Sequence, residues 1–166
     1  MNMPPESDIP KQNLEDNLMV NLSKGVENAL KAMANVVCDF KKPITDKDWK
    51  PPEGYSVFLE IDTPPSHGQI RFHFSQAALI KLYSNIMNDS TIPDNSQVLD
   101  CLGEISNVSY GLAKNKMNKE GFSLNMALPF PGKTQDLPKI VPTNQKSVVQ
   151  FKIFNETCFI EIIISA

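Results

Sequence analysis

The stretch that most constrains this chain runs from Pro93-Asp94-Asn95 to Gly121. Two residues able to cap a helix precede Ser96, and Gly121 is the kind of residue that ends a helix in the left-handed conformation. The span between them, roughly 23 residues or ~35 Å of helix, is as long as a small domain is wide. Such an element must cross whatever core the rest of the chain builds. A step of 100° per residue predicts that Val98, Leu102, Ile105 and Leu112 form its core-facing stripe.

Two further helices are expected. From Leu14 to Cys38, Leu18, Leu22, Val26, Leu30 and Met33 recur at steps of three and four. In SQAALIKLYSNIMND, Ser75 is a candidate N-cap, and Ala78, Leu79, Leu82 and Ile86 repeat at helical spacing. Between these two segments, YSVFLEID and QIRFHF are rich in β-branched and aromatic residues and read as strands joined across TPPSHG. After Gly121 come FSLNMALPF as a further strand, a proline- and lysine-rich loop over 131–146, and the runs VVQFKIF and CFIEIIIS. The last two form an antiparallel hairpin about Asn155-Glu156. The order predicts an α+β domain over 14–166, with a mainly antiparallel sheet carrying about three helices on one face. Residues 1–13, polar and proline-rich, are expected to form a disordered tail.

Composition narrows the partners. A net charge of -3 offers no basic stripe for a phosphate backbone, so nucleic acid is not the expected partner. Lys41, Lys42, Lys47 and Lys50 surround Trp49, but Asp46 and Asp48 interleave with them, which predicts a solvated loop. Cys38, Cys101 and Cys158 are odd in number and lack a C-x-x-C spacing, as suits a reducing cytoplasm. No apolar run is long enough to span a bilayer, so no membrane insertion is expected.

The face of the long helix opposite its apolar stripe holds the one candidate site. Asp100, Glu104, Asn107 and Gly111 stand four, three and four residues apart, which sets them in one row. Exposed helix faces normally carry Glu, Asn and Asp, so the pattern alone describes a solvated surface. Gly111 is the exception. Glycine inside a helix costs about 1 kcal/mol relative to alanine and calls for a reason, such as the close approach of another molecule.

The motif Asp100, Glu104, Asn107 within LDCLGEISNVSYGLAKNKM, followed by Pro129 at a matching distance, resembles the signature of the CheX/CheC chemotaxis phosphatases. The order of elements from Leu14 onward is similar to that family as well. CheC-type chains carry the signature on two helices and this sequence carries it once, so the CheX-like arrangement is the closer resemblance. The resemblance implies hydrolysis of the phosphoaspartate of a CheY-like response regulator. Asn107 would orient the attacking water and Glu104 would contact a lysine of the regulator, while Asp100, Gly111 and Pro129 support them. It also implies a homodimer, no cofactor of the chain's own, and Mg2+ on the partner receiver domain.

Other chemistries find less support. His67 and His73 are the only histidines, and their context predicts structural or exposed roles rather than a metal site. Cys101 lies beside the row without a histidine nearby and reads as a small buried thiol. Met33 and Met117 read as core filling. Neither a glycine-rich phosphate loop nor a G-x-S-x-G elbow is present. The competing reading is a noncatalytic adaptor of the same fold that binds response regulators or flagellar-switch components, since fold does not fix function.

Overall fold

In the computed structural model, which describes residues 11–140 and 146–165, the three expected helices are present. Helix α1 (Lys11–Ala34) begins three residues before the anticipated start and stops earlier than the periodicity suggested. Asn35 adopts φ 53°, and the N–H groups of Asn35 and Val36 return to the carbonyls of Lys31 and Leu30. An asparagine in the left-handed region thus closes α1 four residues short of Cys38. Helix α2 (Gln76–Met87) is capped by Ser75, whose hydroxyl accepts the Ala78 N–H at 3.1 Å. Residues 1–10, assigned to the expected tail, and 141–145 of the expected loop lie outside the described residues.

The sheet is antiparallel, in the order β1 (Asp39–Phe40), β6 (Ser147–Ile153), β7 (Glu156–Ser165), β4 (Ser66–Phe74), β3 (Tyr55–Thr63) and β5 (Phe130–Lys133). Its long members are β3, β4, β6 and β7. Two-residue strands β1 (Asp39–Phe40) and β2 (Ile44–Thr45), which the sequence did not suggest, both pair with β6. The hairpin between β6 and β7 turns through Phe154 and Asn155, both at positive φ, the backbone a two-residue hairpin requires. One expectation is corrected after the third helix. FSLNMALPF does not form a strand over its length, and β5 is the four-residue segment Phe130–Lys133 that follows it.

Strand alternation divides the sheet into two faces. On one, Val57, Leu59, Ile70, Phe72, Phe151, Ile160 and Ile162 are buried against α1, α2 and the long helix α3 (Asn95–Lys119). This face is the core. Leu18, Leu22, Val26 and Leu30 of α1 meet it together with Val98, Leu102, Ile105 and Met117 of α3.

The other face carries a buried polar layer. Ser56, Arg71, His73 and Glu161 are each no more than 6% exposed. The Ser56 hydroxyl lies 2.6 Å from His73 Nδ1 and 2.7 Å from Thr134 Oγ1, and His73 Nε2 lies 3.0 Å from Glu161 Oε1. Lys146 Nζ approaches Glu161 Oε2 at 3.2 Å and donates to the Trp49 carbonyl. Arg71 donates to Gln69 and to the Pro138 carbonyl. Burial pushes the His73 imidazole below its ordinary value, which keeps it neutral. Burial alone would raise the Glu161 carboxyl. The hydrogen bond with His73 and the charges of Lys146 and Arg71 outweigh that and hold it below the usual carboxylate range. Trp49, placed by the sequence in a solvated loop, is half-buried over this layer, its ring centroid 5.6 Å from His73 and 5.0 Å from Phe159.

Candidate functional site

Helix α3 begins where the sequence indicated. Asp94 accepts the Gln97 N–H at 2.9 Å, and the Gln97 side chain accepts the Asp94 N–H at 2.9 Å, which completes a capping box. Gly121 closes the far end at φ +100°. Of the expected core stripe, Val98, Leu102 and Ile105 are buried, but Leu112 is 43% exposed. Ser109 and Ala113 take the inward positions instead, because α3 meets α1 at Gly25 too closely for a large side chain there.

This orientation sets the row on the outside. Asp100, Glu104 and Asn107 are exposed and Gly111 is half-buried. A Cβ added at Gly111 would have no neighbour within 4 Å, so the glycine leaves open space beside Asn107 that no intramolecular contact demands. Glu104 and Asn107 lie within a single helical turn, about 4.5 Å apart along the axis. Neither makes a side-chain hydrogen bond or ion pair among the described residues, so both are available to another molecule.

The segment from Phe122 to Pro129 flanks the row without forming a strand. Asn118 accepts the Leu124 N–H at 2.8 Å, and Tyr110 donates to the Asn125 carbonyl at 2.6 Å. The Asn125 side chain accepts the Asp62 N–H at 2.9 Å and donates to the Glu60 carbonyl at 3.1 Å. Further along, the Pro131 ring lies 3.7 Å from a Cβ built on Gly103. The chain therefore runs antiparallel along α3 from Tyr110 toward Gly103, and half-buried Pro129 falls between these two anchors. The motif residues, distant in sequence, border one stretch of surface.

The remaining candidates lie elsewhere. His73 is buried in the polar layer on the far side of the sheet. His67 pairs with Asp62 at 2.9 Å near the β3–β4 turn. Burial pushes the Cys101 thiol up to about 11 and those of Cys38 and Cys158 to about 12, which keeps all three protonated at neutral pH. Among the described residues, no group of three or more His, Cys, Asp and Glu side chains is placed to hold a metal ion. Among the described residues, no helix is long and apolar enough to cross a membrane. The sequence reading missed Glu161. Its signal was a lone carboxylate in the apolar run CFIEIIIS, where an unpaired charge would be costly.

A family model described as "Chemotaxis phosphatase CheX" matches residues 55–152. No curated protein matches the chain in sequence. Among solved structures, a CheC-like superfamily protein from Shewanella sp. PV-4 superposes with a TM-score of 0.80 at 23% identity, over 90% of this chain and 98% of that one. The chemotaxis protein CheX from Vibrio vulnificus gives 0.77 at 24% identity, over 89% and 99%. The CheX of a CheX-CheY-BeF3-Mg2+ complex from Borrelia burgdorferi gives 0.70 at 14% identity, over 90% and 98%. At these identities the structural likeness concerns the fold.

Proposed function

The chain belongs to the chemotaxis phosphatase CheX family, and from that premise we propose that it hydrolyses the phosphoaspartate of a CheY-like response regulator. The observation that carries this reading is the pair Glu104 and Asn107. They are exposed, without side-chain partners among the described residues, and one turn apart on a helix fixed along its length to the core. The solved complex of a related CheX with CheY, BeF3 and Mg2+ supports a phosphorylated receiver domain as the partner.

The chemistry asks little of this chain. A phosphoaspartate is an acyl phosphate held in a site where the receiver's own Mg2+ and lysine stabilise the developing charge. What remains is to place a water in line. The Asn107 amide accepts a hydrogen bond from water through its oxygen and donates through its NH2, so it orients the nucleophile without acting as a general base. A factor of 10² to 10³ from such placement needs about 3–4 kcal/mol, within the reach of one well-positioned polar group. Glu104 pairs with the receiver's lysine and fixes the register of α3 over the phosphoryl group. Asp100 and Pro129 border the contact, and Gly111 leaves room for the approach.

The homodimer that family membership suggests would use the outer edge of β5, which among the described residues pairs only with β3. Exposed Met126, Leu128 and Phe130 lie at and before this edge. Phosphate release from a panel of phosphorylated receiver domains, with and without the protein, tests the activity. The expected result is accelerated release from at least one receiver that depends on Asn107. Unchanged release across the panel overturns the proposal.

A further inference from the structure

Beside the row, the C-terminal end of α1, helix α2 and the first half of α3 enclose an open groove of about 350 Å³. Met33, Ile86, Met87 and Cys101 contribute apolar walls, and Asp100 and Glu104 stand at its rim. Met87 is 56% exposed, so the groove opens to solvent rather than closing into the core. Neither rim carboxylate forms an ion pair or side-chain hydrogen bond among the described residues. An apolar floor beneath two unpaired acids suits an apolar group carried next to a cation.

Resting on the phosphatase reading above, we infer that this groove seats an apolar side chain of the phosphorylated receiver, borne close to the lysine that Glu104 contacts. Three observations favour this occupant. Glu104 belongs to both the row and the groove, so a partner whose lysine lies on Glu104 already covers the groove's rim. The rim charge complements that lysine and disfavours an acidic neighbour. Contact area gives the third argument. A specific interface needs about 800 Å² on each partner, far more than four side chains on one helix face supply. The footprint must therefore spread sideways, and this groove is the apolar concavity next to Glu104. Thioether walls at Met33 and Met87 adapt to a side chain of varied shape.

The assignment makes the groove a determinant of affinity, separate from the placement of water by Asn107. Met87→Gln makes an exposed wall polar, and Cys101→Phe fills the floor. Both are titrated against the beryllofluoride-loaded form of the receiver that the wild-type protein dephosphorylates fastest. Single-turnover hydrolysis is measured at saturating protein, and melting curves confirm folding. The expected result is a Kd weakened about tenfold in each variant, with the saturated rate within twofold of wild type. Asn107→Ala should do the reverse, losing rate and keeping affinity. Unchanged Kd in both folded variants overturns the inference while leaving the phosphatase reading intact. A lower saturated rate with unchanged Kd also overturns it. A shift from dimer to monomer in sedimentation, without weaker receiver binding, would give the groove to a second copy of the chain instead. If no receiver is dephosphorylated by the wild-type protein, the reading beneath the inference fails and the inference falls with it.

Discussion

Gly25 of α1 lies directly against the backbone of Ser109 in α3, and a Cβ built on it would collide with the Ser109 carbonyl oxygen. Only a residue without a side chain permits this approach. The contact sets how deeply α3 sits on α1 and therefore how its outer row is presented. Gly25→Ala must push the two backbones apart, and a loss of about 1–3 kcal/mol is expected from such overpacking. Urea unfolding measures it. A variant as stable as wild type would show that the crossing relaxes freely.

Gly111 predicts the opposite sign. With open space around it, Gly111→Ala should stabilise the protein by about 1 kcal/mol through helix propensity alone. If the glycine serves the approach of a receiver, the same variant should raise KM for dephosphorylation while raising Tm. Higher Tm with unchanged KM would leave Gly111 without a role in docking.

Docking and chemistry should separate within the row itself. Asn107→Ala is expected to abolish accelerated dephosphorylation and leave receiver affinity near wild type, because the role proposed for the amide is to orient water. Glu104→Lys sets a cation against the receiver's lysine, so binding should weaken by about 2–5 kcal/mol, with activity falling as a consequence. Calorimetric titration against a beryllofluoride-loaded receiver distinguishes them. Equal loss of binding in both variants would favour the adaptor function.

The polar layer predicts acid sensitivity. His73 has a folded pKa below its ordinary 6.5, so as the pH falls through 6.5 the unfolded chain takes up this proton first and stability declines. Glu161, held below its ordinary 4.5, adds a loss that begins nearer that value and continues downward. The cationic side chains of Arg71 and Lys146 nearby make a positive charge on His73 more costly. The His73 effect therefore weakens the fold below pH 6.5, with a slope no steeper than about 1.4 kcal/mol per pH unit, and the Glu161 effect adds to it only as the pH falls through about 4.5. Denaturant midpoints from pH 7.5 to 4.5 should show the decline, and His73→Gln should flatten its upper part. An unchanged profile in that variant would exclude His73 as the titrating group.

The capping box offers a local check. Asp94→Ala removes the acceptor for the Gln97 N–H, and about 1 kcal/mol of stability should go with it. Hydrogen exchange should quicken most in the first turn of α3. Uniform acceleration along the helix would show that the cap does not act locally.

The sequence made the helices legible where a local residue carries the signal, as Ser75, Asp94 and Gly121 do at their termini. It misplaced the end of α1 because Asn35 stops the helix while apolar spacing continues through Val36 and Val37. Leu112 was assigned inward by periodicity alone. Its exposure follows from the Gly25–Ser109 crossing, a contact between residues 84 apart that no local pattern encodes. The strand after α3 was misplaced for a similar reason. Phe122 to Pro129 is held by the side chains of Asn118, Tyr110 and Asn125 instead of a backbone ladder. The row of Asp100, Glu104, Asn107 and Gly111 was legible as geometry because helical spacing is regular. Its proposed role came from the family signature, since an exposed Glu and Asn carry no chemical mark of their own. Glu161 escaped notice, and Trp49 was read as part of a solvated loop, because their partners come from strands and loops distant in the chain.

Because Asp100, Glu104 and Asn107 stand clear of the core on the outward side of a helix, the fold and the proposed activity are written in separate sets of residues. A lineage could lose or regain hydrolysis through one or two surface changes with little penalty in stability. An inherited architecture in this lineage is therefore a poor witness to activity, and the two side chains one turn apart are the better one.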